Sequence, residues 1–370
     1  VIKLCLSSLS LSNFRNYKYS RIEVDSRPVV LIGRNGVGKT NILEAISFLV
    51  PGRGLRRSKI SEIDNISGNS PWAIAAEICG ISGEASIGTG RISEGEGVEK
   101  RIVKIDGKIA RSQNELAKIF SIIWLTPQMD NLFIEGGTAR RKFIDRLVFS
   151  FDPEHASRVN AYDNAMRERN RLLAGERLDK IWLNALESKM AEFGVAIAVA
   201  RQNAVDLLNS ASAASQNSFP KSYISLSGEV ENLLAAGSAL QCEDGFKQLL
   251  ANNRPQDAAA GRSLVGIHRT SIEVLHVDKN IQVEFCSTGE QKALLVSIIL
   301  AQSRVGATRH EIIPVLLLDE VTTHLDSVKR SELFKELEDL GTQAWLTGTD
   351  REIFDDFDRQ IIDVGMLKNS

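Results

Sequence analysis

Two short stretches of this chain combine residue types that can handle phosphate. Gly33-Arg34-Asn35-Gly36-Val37-Gly38-Lys39-Thr40 fits the GxxxxGK[ST] pattern, with the β-branched run Val29-Val30-Leu31-Ile32 before it and helical spacing over 41–46 after it. Glycines let backbone N–H groups curl around phosphates at a helix N-terminus. Lys39 then reaches the terminal phosphates of a nucleotide, and the Thr40 hydroxyl offers an oxygen to Mg²⁺. Far along the chain, Pro314-Val315-Leu316-Leu317-Leu318 is an apolar strand ending in Asp319-Glu320. Carboxylates at the end of a buried strand are costly unless a cation meets them. Asp319 is therefore assigned to Mg²⁺, directly or through water, and Glu320 to orienting and deprotonating an attacking water. The acidic strand end alone has an ordinary reading as a turn. Paired with the phosphate loop it points to ATP, with Lys39 and Glu320 as the catalytic residues.

These residues need a scaffold, and the hydrophobic periodicities outline one. Leu4-Cys5-Leu6-Ser7 with Leu9-Ser10-Leu11 alternates as a half-buried strand, and Asn13–Tyr17 breaks it as a turn. Between Trp72 and Ile109, short apolar stretches punctuated by glycines predict antiparallel hairpins. Trp182, Leu186, Met190, Phe193, Ile197, Ala200, Ala204 and Leu208 recur every three or four residues, the core stripe of a long helix with one costly glycine, Gly194. The run Ser210–Pro220 reads as a turn or linker. Beyond Ser287 the pattern is α/β: helix 291–302, strand 312–318, helix 325–340 and strand 344–347. The expected fold is therefore an α/β head built from 1–125 and 286–370, with an inserted, mainly helical second lobe over 126–285.

A length of 370 residues accommodates two or three such units. The formal net charge of −2 excludes global attraction to a polyanion, so any nucleic-acid contact must be a local basic patch. Arg53, Arg56, Arg57 and Lys59 after the first helix supply one, and Arg167, Arg169 and Arg171 on the arm a second. Cys5, Cys79, Cys242 and Cys286 contain no CxxC, which argues against a disulfide framework or zinc knuckle and fits a reducing cytosol. The five histidines, His155, His268, His276, His310 and His324, show no metal-ligand spacing. The apolar runs are far shorter than the roughly 20 residues of a membrane span, and the first residues lack a secretory pattern. A cytoplasmic protein without a membrane partner is expected.

Cys286-Ser287-Thr288-Gly289-Glu290-Gln291-Lys292 opens a helix and, taken alone, reads as an N-cap with Glu290 in a capping role. Its place, with Ser287 32 residues ahead of Asp319 and Thr323-His324-Leu325-Asp326 just beyond, resembles the signature and following turn of the ATP-binding-cassette ATPases. That resemblance assigns Ser287, Gly289 and Asp326 to the nucleotide. It likens Gln128, in Leu125-Thr126-Pro127-Gln128-Met129, to a lid glutamine sensing Mg²⁺ and the γ-phosphate. The 280 residues from Lys39 to Asp319 exceed a transporter ATPase subunit and fall short of the long coil of an SMC protein.

Further stretches narrow the resemblance. Asn13-Phe14-Arg15-Asn16-Tyr17, Gly52-Arg53-Gly54-Leu55-Arg56, Arg140-Arg141-Lys142-Phe143-Ile144-Asp145, Tyr162 with Arg169-Asn170-Arg171-Leu172-Leu173, and Leu317-Leu318-Asp319-Glu320 run in order along motifs of the RecF family. Gly266-Ile267-His268-Arg269-Thr270 departs from that family's Gly-Pro-His-Arg-Asp, and its role stays open. The resemblance implies an ATP-dependent homodimer that binds duplex DNA near single-strand gaps. It also implies slow ATP hydrolysis as a switch, and cooperation with RecR and RecO in loading RecA. The alternatives are a transporter's cytosolic ATPase, which needs a membrane partner, and another SMC-like ATPase, which needs a long heptad coil.

Overall fold

Both phosphate-handling stretches sit on one parallel sheet of five strands, in the order Gln360–Asp363, Val29–Ile32, Ala344–Gly348, Val315–Leu318, Ile122–Leu125. Val29–Leu31, Val315–Leu318 and Ala344–Leu346 are buried without alternation, as parallel strands covered on both faces must be. The phosphate loop follows Ile32 and the acidic pair follows Leu318, so both leave the same carboxyl edge, where α/β sheets bind ligands. Only Ala344–Gly348 lies between their strands.

This computed structural model describes residues 1–65, 70–94, 98–175, 179–323 and 325–367. They form two compact units: Val1–Asp130 with Ser215–Phe219 and Thr288–Ser370, and Asn131–Ala214 with Pro220–Ser287. In the first unit an antiparallel side sheet of six strands accompanies the parallel one, ordered Tyr17–Glu23, Cys5–Phe14, Ala73–Gly80, Gly83–Glu94, Val98–Ile105, Lys108–Ile109. Its inner residues Leu9, Leu11, Phe14, Ile74 and Ile78 share one core with Ile42, Ile46 and Phe48 around the helix Lys39–Ser47. Phe14 meets Trp72 and Phe48 edge-on, with ring centroids 5.9 and 6.2 Å apart. The helix Thr288–Arg309 is buried almost all round from Gln291 to Ser303, as befits a helix through the middle of a unit.

The strand expected over 312–318 is two strands. Pro314 has no N–H to donate, so Ile312–Ile313 pairs with Ile2–Lys3 and Val315–Leu318 joins the central sheet. Cys5 and Cys79, distant in sequence, are directly opposed on adjacent strands as free thiols.

The second unit contains the helices Gly137–Phe149, His155–Leu173, Lys180–Ala214, Glu229–Ala236, Ala239–Asn252 and Arg254–Ala260. It also has a three-stranded antiparallel sheet of Ser222–Ser227, Ser271–His276 and Ile281–Gln282. The expected stripe of the long helix is its core face at Leu186, Met190, Ile197, Ala204 and Leu208. Gly194 is required there, since a Cβ would lie 2.8 Å from the Phe246 ring. Trp182 is a correction: in the first turn, with little packed over it, it is 53% exposed. Arg169 is another. It is fully buried, donating to Glu187 (2.9 Å), Asp257 (2.7 Å) and the Leu250 carbonyl (2.8 Å), and so presents no charge to a nucleic acid. Among the described residues no helix is long and apolar enough to cross a membrane.

Candidate nucleotide-binding site

Loop Gly33–Thr40 is braced from the side sheet. Asn16 Nδ2 donates to the Val37 carbonyl (2.9 Å), Tyr17 Oη to the Gly38 carbonyl (3.1 Å), and Asn41 Nδ2 to Asn16 Oδ1 (2.7 Å). In a planar trans peptide the N–H opposes the C=O. Turning these two carbonyls toward Asn16 and Tyr17 therefore turns the N–H groups of Gly38 and Lys39 the other way, where an anion can receive them. Gly38 has φ 114°, and a Cβ there would lie 2.5 Å from Asn16 Nδ2, so both conformation and proximity demand glycine. The following helix has no side-chain cap and no acid in its first turn, which keeps its N-terminus positive.

Lys39 is buried and folds back over the loop, its Nζ donating to the carbonyls of Gly33 (2.6 Å) and Arg34 (3.3 Å). Thr40 Oγ1 donates to Asp319 Oδ1 (3.1 Å), and Thr347 Oγ1 donates to the same oxygen (2.9 Å). The phosphate loop and the acidic strand end are thus joined directly. Asp319 is 4% exposed and makes no ion pair among the described residues. Burial raises its carboxyl above the usual range, opposed by the two hydroxyl hydrogen bonds. A hydroxyl and a buried carboxylate without a cation form a hard oxygen donor set, and these residues fit Mg²⁺.

Glu320 adopts φ 50°, a left-handed conformation that non-glycine residues rarely take. Its peptide is clamped on both sides: the N–H donates to Thr347 Oγ1 (2.7 Å), and the carbonyl accepts from Lys292 Nζ (3.2 Å) and the Thr323 N–H (3.1 Å). Lys292 also reaches Asp130 (3.4 Å). The backbone is fixed while the Glu320 side chain remains exposed.

The other expected residues are more dispersed. Gln128 is exposed just beyond Ile122–Leu125, the strand beside Val315–Leu318. Gly289 lies in the first turn of Thr288–Arg309, and the exposed Ser287 immediately precedes that helix. Asp326 caps Ser327–Leu340, accepting from the Lys329 N–H (2.8 Å), which lowers its pKa. Among the described residues no hydrogen bond ties Gln128, Gly289 or Asp326 to the phosphate loop; His324 lies outside the described residues. Arg56 is engaged internally, donating to Asn41 (2.7 Å) and to buried Glu44 (3.1 Å), which also receives Arg15 (2.6 Å). Arg53, Arg57 and Lys59 are exposed and make no ion pair among the described residues.

Residues 5–370 match the family model described as RecF/RecN/SMC N terminal domain. Over 355 residues the chain is 44% identical to the DNA replication and repair protein RecF of Rhizobium meliloti (strain 1021), covering 95% of this chain and 94% of that protein. The chain belongs to the RecF family. The RecF of Mesorhizobium japonicum (strain LMG 29417 / CECT 9101 / MAFF 303099) is 46% identical over 351 residues, 94% of this chain and 92% of that one. Among solved structures, the recombination mediator protein RecF with ATP in the RecFOR pathway superposes with TM-score 0.83 at 24% identity, over 98% of this chain and 97% of that one. The Smc head domain of Pyrococcus furiosus, bound to the C-terminal domain of ScpA, gives 0.55 at 16% identity over 98% and 94%. The fold is therefore the α/β ATPase head that RecF shares with SMC proteins, as expected.

In this RecF-family chain, Thr347, Lys292 and Glu44 escaped sequence reading as site residues. Thr347 carries no motif and becomes visible only through the register that sets Leu318 beside Leu346. Lys292 closes the signature stretch, and Glu44 is an acid among apolar helix positions, the one local signal of a buried ion pair.

Proposed function

We propose that this chain is an ATP-gated DNA-binding protein of recombinational repair and replication-fork maintenance, acting in the cytoplasm. Its head, over 1–125 and 286–370, binds ATP with Mg²⁺, and the inserted lobe covers 126–285. The observation that carries the reading is the junction of Thr40, Asp319 and Thr347 beside Lys39 on one sheet edge. Gly33, Arg34, Asn35, Gly36, Val37 and Gly38 wrap the phosphates, and Lys39 turns from its own loop carbonyls to the terminal phosphates. Thr40 and Asp319 hold the metal, which supplies charge neutralisation at the phosphates when bound. Glu320 activates water, and Gln128 senses the γ-phosphate.

Among the described residues no hydrogen bond ties Gly289 to its own phosphate loop, which supports its use, with Ser287 and Asp326, on the nucleotide of a second copy. ATP then closes a homodimer with C2 symmetry. The dimer binds duplex DNA near single-strand gaps, contacting phosphates through Arg53, Arg57 and Lys59, with hydrolysis slow enough to act as a timer. Membership of the RecF family, with a solved relative placed in the RecFOR pathway, supports RecR and RecO as partners in loading RecA.

Sedimentation velocity beside a nucleotide titration tests this reading. The parent should be monomeric without nucleotide and dimeric with ATP, whereas Ser287→Arg should bind ATP, stay monomeric and lose ATP-stimulated DNA binding. A Ser287→Arg variant that still dimerises on ATP contradicts the shared site. Glu320→Gln should retain ATP while turnover drops at least roughly 100-fold.

A further inference from the structure

The stretch Gly266-Ile267-His268-Arg269-Thr270, which departs from the family pattern, is held from several sides within the second unit. Gly266 has φ 132°, and a Cβ there would meet Tyr162 Oη at 2.2 Å. Both ring nitrogens of His268 are engaged, Nδ1 with Tyr162 Oη and Nε2 with the Ser263 carbonyl, each at 3.0 Å. Arg201 donates to the Ile267 carbonyl (2.9 Å), Arg141 to the Thr270 carbonyl (2.9 Å), and the Thr270 hydroxyl to Glu231 (2.6 Å). Even the Arg269 N–H is used, on the Gly266 carbonyl (2.8 Å).

The Arg269 side chain is the exception. It is exposed and, among the described residues, makes no hydrogen bond or ion pair. Beside it, Arg141 is anchored to the carbonyl of the very next residue. Burial, with the charges of Arg201 and Arg269, lowers the pKa of Arg141. Asp145, the acid whose charge acts on Arg141, is already taken by Arg201 (2.8 Å) and His155 (2.8 Å). Lys142, next on the same helix, is exposed without an ion pair. Like charges gathered on a fixed frame with no anion of their own repel one another until one arrives. A planar guanidinium then offers paired donors matched to phosphate oxygens.

We propose that Arg269 and Arg141 form a phosphate-binding site that takes the backbone of duplex DNA, an assignment that rests on the DNA-binding function above. With Arg269 in solvent and Arg141 only partly covered, the pair holds a small anion weakly because salt screens it. A polyanion gains from releasing condensed counterions at the same pair, without reading bases.

The experiment measures binding of the full chain, with ATP present, to duplex DNA across 0.05–0.3 M salt (roughly, the range over which counterion release is resolved). Parent, Arg269→Glu and Arg269→Lys are compared, with inorganic pyrophosphate as a second probe. Arg269→Glu should flatten the slope of log affinity against log salt by about 1 and weaken binding roughly eight-fold at 0.1 M salt. Arg269→Lys should restore most of both, and ATP binding should be unchanged in each. Arg269→Glu matching a DNA-binding parent in affinity and slope overturns the site alone. A parent that binds no duplex at any salt overturns the DNA function and the site with it. Loss confined to pyrophosphate overturns the duplex assignment in favour of a small anion.

Discussion

Asp319 is a carboxylate kept out of water and given two hydroxyls instead of a cation. Because its pKa is raised in the folded chain, its contribution is most favourable at low pH and is lost as pH rises through that raised value. Asp319→Asn should therefore stabilise the nucleotide-free chain at neutral pH, on the order of 1 kcal/mol, and flatten its stability profile above the usual carboxylate range. Mg²⁺-dependent hydrolysis should fall on the order of 100-fold. Melting at several pH values beside a phosphate-release assay checks both, and a destabilised variant would contradict the account. Lys39→Arg keeps the charge but replaces a compact ammonium with a planar fork, so turnover should fall by a large factor. Lys39, Thr40, Asp319 and Glu320 could be singled out in the sequence because the phosphate chemistry expected of them imposes a local pattern, and the structure brings Thr40 and Asp319 together. Thr347 was not, since one threonine at a strand end acquires its meaning only from the strand it lies against.

Elements position these residues through their neighbours rather than by their own preference. The phosphate loop takes its shape from a hairpin some 20 residues earlier, through Asn16 and Tyr17. Tyr17→Phe removes one brace, while the Gly38 carbonyl keeps the N–H groups of Asn41 (3.0 Å) and Ile42 (3.2 Å). The substitution should cost about 1 kcal/mol of stability and weaken ATP binding severalfold, as thermal melts and a titration would show; unchanged affinity would mean the brace is dispensable. In the second unit, Arg169→Met strands the buried Asp257, and a loss of about 3–5 kcal/mol in urea unfolding is expected. Apolar periodicity read the long helix and the hairpins well, because burial enforces it. It misjudged Trp182, since a stripe continues in sequence past the point where anything packs over it, and Arg169, since a buried arginine looks like any surface charge until its carboxylates converge.

At the scale of the whole molecule, a net charge of −2 makes any grip on DNA a matter of where the cations lie. Reversing Arg53, Arg57 and Lys59 together should flatten the salt dependence of duplex binding by about 2–3. An unaltered slope in a folded variant would move the contact elsewhere. The discontinuity of the head was visible in the return of α/β patterning after Ser287. The short excursion of Ser215–Phe219 into the first unit was not, because five residues carry no period. The strand order also bears on synthesis. Val29–Ile32 and Ile122–Leu125 are made early, yet both strands that lie between them, Val315–Leu318 and Ala344–Gly348, are made some 190 residues or more after Ile122–Leu125. At about 5–20 residues per second, the ribosome needs roughly 10–45 s to travel from residue 125 to residue 348. Through that interval the two early strands have no permanent neighbours on their facing edges, so the nascent head depends on chaperones or on its side sheet to avoid pairing with other chains.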